Sequence, residues 1–279
     1  MGKVPEEYPF RISRHIQFQS SSLVVGWNRD SSKLGARVID CLNKKLRGQE
    51  ICEIELNRFF SFGGVAVEDN VIQFPECKFY ACENNNLLLF KSDPPQYEWY
   101  KFLNSIIDAA EKCAKIKEIY TIGGMGGFTS HTRPRELFAV FNSFEMKKRL
   151  SSYHLGKGMD YQTPSGQRPT LSSFLLWVAQ KRGILGVNLW APIPFYLVAV
   201  EDAKAQKIVL EFFDRRFNLG IDFKDLDEEI RRQNEKIAQV RIRSSEIDGY
   251  INKLENNQDL SEEENEKLIK EIEEVFKKD

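Results

Sequence analysis

Glycines and cations in two stretches carry the chain's best chemical prospects. Within Glu118–Arg133 an apolar, β-branched set (Ile119, Tyr120, Ile122) runs directly into Gly123, Gly124, Met125, Gly126 and Gly127, with His131 and Arg133 close behind. Glycines just beyond a strand let backbone N–H groups approach a phosphate or carboxylate, and an arginine supplies the counter-charge. The second stretch, Thr163–Thr170, sets hydroxyls, Gln167, Arg168 and Thr170 ahead of an apolar helix, whose first N–H groups favour an anion. Brought together, Arg133 and Arg168 would close around a carboxylate or phosphate, with His131 as acid or base. The spacing speaks against a cradle, because no Gly-Lys-Ser/Thr follows and Gly-Gly-Met-Gly-Gly is not the dinucleotide pattern. A tight turn needing positive φ suits these glycines better, and helix capping suits Thr163–Thr170 better. Neither stretch sets a nucleophile beside a base, so no catalytic residue is assigned.

Metal chemistry has little to build on. His15, His131 and His154 are few and dispersed, and Cys77 and Cys82 lack the close pairing of a zinc knuckle. With Cys41, Cys52 and Cys113 the cysteines are odd in number and sit mostly on apolar stretches, as small buried hydrophobes of a reducing compartment do. No metal or cofactor is expected. No signal peptide and no apolar run of transmembrane length is evident, so a cytoplasmic location is expected.

The elements that must position these residues alternate in type. Ser22–Trp27 reads as a strand, Asn28–Ser32 as turn and cap, and Lys33–Leu46 as a helix through Leu34, Val38, Cys41, Leu42 and Leu46. Gly26 and Gly35 read as packing glycines. Ile51–Leu56 alternates as a half-exposed strand, and Phe59, Phe60, Phe62 and Gly63-Gly64 form an aromatic loop, covered either by its own core or by a neighbouring subunit. Val71–Phe74, Lys78–Cys82 and Leu87–Phe90 read as strands, the last two joined at Asn84–Asn86. Tyr97–Lys115 is an amphipathic helix feeding the central strand. Leu137–Phe141 is the next strand, and Leu171–Lys181 a helix. Gly186–Trp190 is a buried strand whose continuation Pro192 and Pro194 should block, and a helix from Asp202 ends at Gly220. Such alternation predicts an α/β fold, a three-layer sandwich around a mostly parallel sheet, with an antiparallel piece near residues 78–90.

With 279 residues, of which 42% are hydrophobic, the chain can bury one large core and carry an appendage. Two parts are expected, an α/β domain over residues 1–221 and a helical extension over 222–279. Residues 222–279 hold 18 of the 41 acidic and 11 of the 40 basic residues, a net of −7, which leaves +6 on the rest. Neither value favours nucleic acid or membrane as a partner. In the extension Leu226, Ile230, Ile237, Val240, Ile247, Ile251 and Leu254 approximate a seven-residue repeat, interrupted by Gln233 and Ser244, up to Asn256-Asn257, and Ser261 with Glu264 forms a capping box for a last helix. Either a helical hairpin folded on itself or an intermolecular coiled coil follows, and in the second case Ile230, Ile237, Val240, Ile247, Ile251 and Leu254 would be oligomerisation residues.

Four segments resemble the proteasome assembly chaperone 2 family, a group also known under an ATP-grasp label. They are Leu23-Val-Val-Gly-Trp-Asn28, Ile119-Tyr-Thr-Ile-Gly-Gly-Met125, the apolar helix after Gly166, and Lys204-Ala-Gln206 through Asn218-Leu-Gly-Ile-Asp222 to Leu226. The resemblance covers roughly residues 22–240 by pattern rather than by a catalytic signature. It implies a three-layer fold like that of purine nucleoside phosphorylases and homo-oligomers. For some archaeal and eukaryotic members it also implies help in assembling proteasome α rings, which makes proteasome α subunits a partner. Archaeal members that dock on the proteasome share a hydrophobic-Tyr-any tail, whereas this chain reads Phe276-Lys-Lys-Asp279, so docking by the tail is not expected. No lysine with paired Mg²⁺-binding carboxylates on adjacent strands supports ligase chemistry. The expectation is a non-catalytic, homo-oligomeric chaperone-like protein or scaffold. The alternative is an enzyme or binder of a small anionic, nucleotide-like or phosphate-bearing metabolite at Gly123, Gly124, Gly126, Gly127, Arg133, Gln167, Arg168 and Thr170.

Overall fold

The computed structural model describes residues 8–14, 16, 21–61, 66–68, 70–156 and 158–277. The chain runs β1 (Phe10–Ile12), β2 (Ser21–Trp27), α1 (Leu34–Leu46), β3 (Gln49–Ile54), β4 (Ala66–Glu68), β5 (Val71–Gln73), β6 (Cys77–Cys82) and β7 (Leu87–Ser92). It continues through α2 (Trp99–Cys113), β8 (Ile116–Gly127), β9 (Phe138–Phe141), α3 (Phe144–Arg149), α4 (Leu171–Lys181), β10 (Leu185–Pro194) and α5 (Ala203–Phe217). The extension supplies α6 (Lys224–Arg243), α7 (Ser245–Glu255) and α8 (Glu262–Phe276).

Among the described residues one eight-stranded sheet has the order β1-β3-β6-β7-β2-β8-β10-β9, and β4 and β5 pair separately as a hairpin. The central strands β7, β2, β8 and β10 are mutually parallel. Antiparallel strands extend the sheet at both edges, a larger share than the piece expected near residues 78–90. The period-2 alternation of apolar residues assigns each strand's side chains to two cores. Val24, Leu89, Tyr120 and Ile122 face α1, α5 and the extension, while Leu23, Val25, Phe90 and Ile119 face α2 and α4. Two helical layers around a sheet give the three-layer α/β sandwich. Gly26 allows the closest helix–strand approach, since a Cβ there would stand 2.3 Å from the carbonyl oxygen of Gly35.

Long-range packing corrects two expectations and decides a third that the sequence leaves open. Gly123–Gly127 is not a loop or a positive-φ turn but the end of β8, paired with Trp190–Pro194 of β10. Gly123 and Gly124 are needed because side chains from elsewhere lie over them, whereas Gly127 has open space where a Cβ would stand. A Cβ at Gly123 would meet the Trp190 ring at 2.9 Å, and one at Gly124 would meet Ile193 Cδ1 at 2.5 Å. Pro192 and Pro194 do not end β10. The antiparallel partner β9 stops at Trp190, so beyond that point the side of β10 away from β8 is an edge, where proline loses no ladder bond. There the Pro192 carbonyl accepts from Arg135 Nη1 at 3.3 Å. Phe59 and Phe60 are buried against Phe102 of the same chain, with ring centroids at 5.1 and 5.9 Å, and need no neighbouring subunit. Phe62, Gly63 and Gly64 lie outside the described residues, as does His15.

The extension is three helices rather than two, because Ser244 breaks the repeat. It ends α6, and its hydroxyl accepts from the Ile247 N–H to cap α7. Ser261 and Glu264 form the expected reciprocal capping box of α8. Ile237, Val240, Ile247, Ile251 and Leu254 are buried and Ile230 half-buried, all in the core that also holds Val38 and Leu42 of α1 and Val209 and Phe213 of α5. The apolar face of the repeat is thus consumed within the chain. No described helix is long and apolar enough to cross a membrane.

Candidate functional site

Loops after parallel strands gather at the carboxyl edge of the sheet, the usual place for a ligand in an α/β fold. Here three meet: Asn28–Lys33 after β2, Phe128–Arg135 after β8, and Phe195–Glu201 after β10. The loop after β8 is closed by the chain itself. The Tyr196 hydroxyl lies 2.8 Å from both the backbone N and the Nδ1 of His131. Burial, with Arg241, Arg135 and Lys204 nearby, lowers the His131 pKa to about 4, so the ring is neutral at neutral pH and is no acid there. Burial raises the Tyr196 pKa to about 12. Lys204 Nζ donates to the carbonyls of His131 and Arg133 at 3.0 and 2.7 Å. Beneath them Arg135 pairs with the fully buried Asp202, whose other oxygen accepts from the Ala205 N–H to cap α5.

Helix α7 bolts this loop down. Glu255 Oε1 accepts from the Thr132 hydroxyl at 2.9 Å and from Arg241 Nη1 at 3.0 Å, and the Glu255 carbonyl accepts from Arg133. Arg133 is therefore spent on a helix C-terminus, where a cation complements the dipole. Arg168 lies elsewhere, with its guanidinium carbon 5.7 Å from the centre of the Trp99 ring beside α2. Since Trp99 belongs to the opposite core from α7, the sheet separates Arg133 from Arg168. Gln167 closes a turn onto the Pro164 carbonyl, and the Thr170 hydroxyl accepts from the Ser173 N–H at 3.1 Å as the cap of α4. The eight candidate residues are thus not brought together. At the amino end of β8, buried Glu118 is satisfied by Tyr120, Arg149 and Arg216, which outweigh its burial and hold its pKa below the ordinary value. Among the described residues no three of His, Cys, Asp and Glu converge as a metal-ligand set.

The opening left at this edge is a cavity of about 810 Å³. Its walls come from the loop after β2, the segment after β10, and the solvent faces of α6 and α8. Burial raises the Asp30 pKa to about 7, although its Oδ2 accepts from the Gly35 N–H at 2.9 Å. Reading along the chain missed this site because Asn28–Ser32 has the composition of any turn and its partners lie some 170 to 250 residues away. The one local signal was Arg232 and Lys236, which lie four apart on one face of a helix.

The fold and the crowded strand ends define a three-layer α/β protein with a helical cover over one end of its sheet. The chain belongs to the PAC2 family, whose sequence profile matches residues 23–241. No protein with a curated description matches it by sequence. Among the solved structures that share its fold are three at 17 to 19% identity. A protein of unknown function from Mycobacterium tuberculosis, Rv2714, covers 92% of this chain and 93% of its own, with a TM-score of 0.76 and 17% identity. PbaB of Pyrococcus furiosus, an archaeal proteasome activator, covers 83% of this chain and 98% of its own, with a TM-score of 0.66 and 19% identity. PbaA of the same organism, an archaeal homolog of proteasome-assembly chaperone, covers 89% and 99%, with a TM-score of 0.62 and 18% identity.

Proposed function

We propose that this chain is a non-catalytic, homo-oligomeric, chaperone-like scaffold that works by binding other proteins in a reducing, cytoplasmic compartment. The observation that carries the proposal is an aromatic cluster on the outer face of α2 and α4. Tyr100, Phe174 and Trp177 have ring centroids 5.4 to 6.3 Å apart, with Tyr100 55% and Trp177 44% exposed. Contiguous exposed aromatics mark protein contact surfaces, where tyrosine and tryptophan anchor partners. The β4–β5 hairpin adds Val67, Val71 and Ile72, each more than half exposed, on an element too small to be stable alone in water. The locked state of the loop after β8 supports a binding role over chemistry, since its one histidine is buried and neutral. PbaA and PbaB, described respectively as a chaperone homolog and a proteasome activator, make proteasome α subunits the first partner to test. The five cysteines are free thiols, as a reducing compartment requires.

Native mass spectrometry of the protein, purified gently from its own host, tests the proposal. A homo-oligomer that carries a protein partner is expected, and both should weaken in Trp177→Asp with the helical circular dichroism unchanged. A monomer with no protein bound would overturn it. The cavity favours a second reading as the binder of a small anion, with charges supplied by the loop after β2 and by α6 rather than by Gly123–Gly127.

A further inference from the structure

We propose that the cavity at the carboxyl edge is a binding site for a small organic phosphate, with Lys33, Arg232, Lys236 and Lys277 gripping the phosphate and Val200 and Phe276 meeting the apolar part. All six line the opening. Charges of both signs on the wall are partly paired: Arg232 stands 3.2 Å from Glu228 and Lys277 2.7 Å from Glu273, exposed pairs worth little that an incoming anion can replace. Of the three acids on the wall, Glu201 and Glu229 are both engaged by Arg37, which stands 3.2 Å from Glu201. The third, Asp30, is bent toward the Gly35 N–H at the start of α1, and a rise in its pKa through burial weakens its repulsion of an anion. Lys33 is exposed at the rim and forms no ion pair among the described residues.

Strained backbone lines the cavity. Ser32 and Lys33 are consecutive non-glycine residues in the left-handed region, with φ of 61° and 49°. Ser32 is clamped there, its N–H donating to the Val198 carbonyl at 2.8 Å and its hydroxyl to the Val200 carbonyl at 2.6 Å. Such strain persists only where surrounding contacts impose it, and it concentrates at ligand clamps. Buried polar atoms without hydrogen-bond partners lie in the same region: Asp30 Oδ1 on the wall, with Arg37 Nη1 and Gln206 Oε1 joined through a bond from Gln206 to the Arg37 carbonyl. A site that joins several cations to an apolar wall selects a molecule bearing both phosphate and a hydrophobic group.

The test is isothermal titration of the full chain with ATP, with inorganic pyrophosphate as comparator. ATP is expected to bind with a dissociation constant below about 1 mM, more weakly as salt is raised. The double variant K33E/R232E and the filling variant Ala199→Trp, at an exposed position on the wall, should each lose tenfold or more. Lys148→Glu, on α3 outside the cavity, should bind as the parent does, and unchanged melting temperatures would show all three variants folded. No ATP binding, or full retention in both cavity variants, would overturn the proposal. Pyrophosphate binding as tightly as ATP would overturn the organic part of the assignment.

Discussion

Two titratable residues, the buried His131 and the half-buried Asp30, give this protein opposing responses to pH. His131 has its pKa lowered to about 4 by burial and by Arg241, Arg135 and Lys204, against an ordinary value of 6.5. The unfolded chain therefore takes up a proton first, and the stability His131 contributes is full above pH 6.5 and lost as pH falls toward 4. Between pH 7 and pH 5 that loss is on the order of 2 kcal/mol. Asp30 runs the other way. Burial raises its pKa from 3.8 to about 7, so the folded state holds the proton longer, and its contribution is full below pH 4 and lost as pH rises through 7. Urea unfolding at pH 5 and pH 8 separates the two. His131→Asn should flatten the acid side of the stability profile, and Asp30→Asn should flatten the alkaline side. A profile unchanged by either substitution would show that neither group is buried as described.

At the scale of elements, the cover helices behave as structural parts of the body. Glu255 is held by Thr132 and Arg241 through its carboxylate and by Arg133 through its carbonyl. Glu255→Ala removes only the carboxylate, which leaves Arg241 with Asp248 and Asn252 and Thr132 with the Ser130 hydroxyl. A loss of about 1–2 kcal/mol is expected, as for a charge-assisted hydrogen bond. Limited proteolysis should also show earlier cleavage within residues 128–135, since the loop loses its bond to the Glu255 carboxylate. Breaking the buried Arg135–Asp202 pair should be harsher. Asp202→Ala strands an arginine away from water and uncaps α5, at a cost of about 3–5 kcal/mol by thermal or urea unfolding. How much of this was legible follows from range. The alternation of Leu23, Val24 and Val25, the helical spacing of α1 and α2 and the Ser261–Glu264 box are local patterns, and they read true. Gly123 and Gly124 read as a turn because the side chains that demand them, Trp190 and Ile193, are more than 60 residues away and invisible to any window. Ser244 reads as a polar interruption rather than a break, since a capping serine and a tolerated core serine look alike without the backbone. Arg133 and Arg168 were matched by chemistry alone, and no local pattern reports that a sheet stands between them.

For the molecule as a whole, the extension and the α/β body share one core. Ile237, Ile247, Ile251, Leu268 and Ile272 are fully buried, and each such side chain contributes roughly 1.5–3 kcal/mol on leaving water. A chain ended after Gly220 would expose the matching faces of α1 and α5. It is expected to be aggregated or molten, with lost near-ultraviolet dichroism and a lost cooperative melt. A stable, cooperatively melting product in sedimentation and calorimetry would show instead that residues 1–220 form an independent domain. The surface cluster of Tyr100, Phe174 and Trp177 stands apart from this core, so Trp177→Asp should alter association without lowering the melting temperature by more than a degree or two.

The bond from Arg133 to the end of α7 also sets a schedule for synthesis. Arg133 and Glu255 are 122 residues apart in the chain. At ribosomal speeds of about 5–20 residues per second, the loop after β8 waits roughly 6 to 24 seconds for its partner. During that interval the nascent sheet presents a strand end whose polar groups and apolar neighbours are uncovered. The loop that ends the central strand is thus fastened only after α7 has been made, so the order of synthesis runs opposite to the order in which this edge of the sheet would be closed.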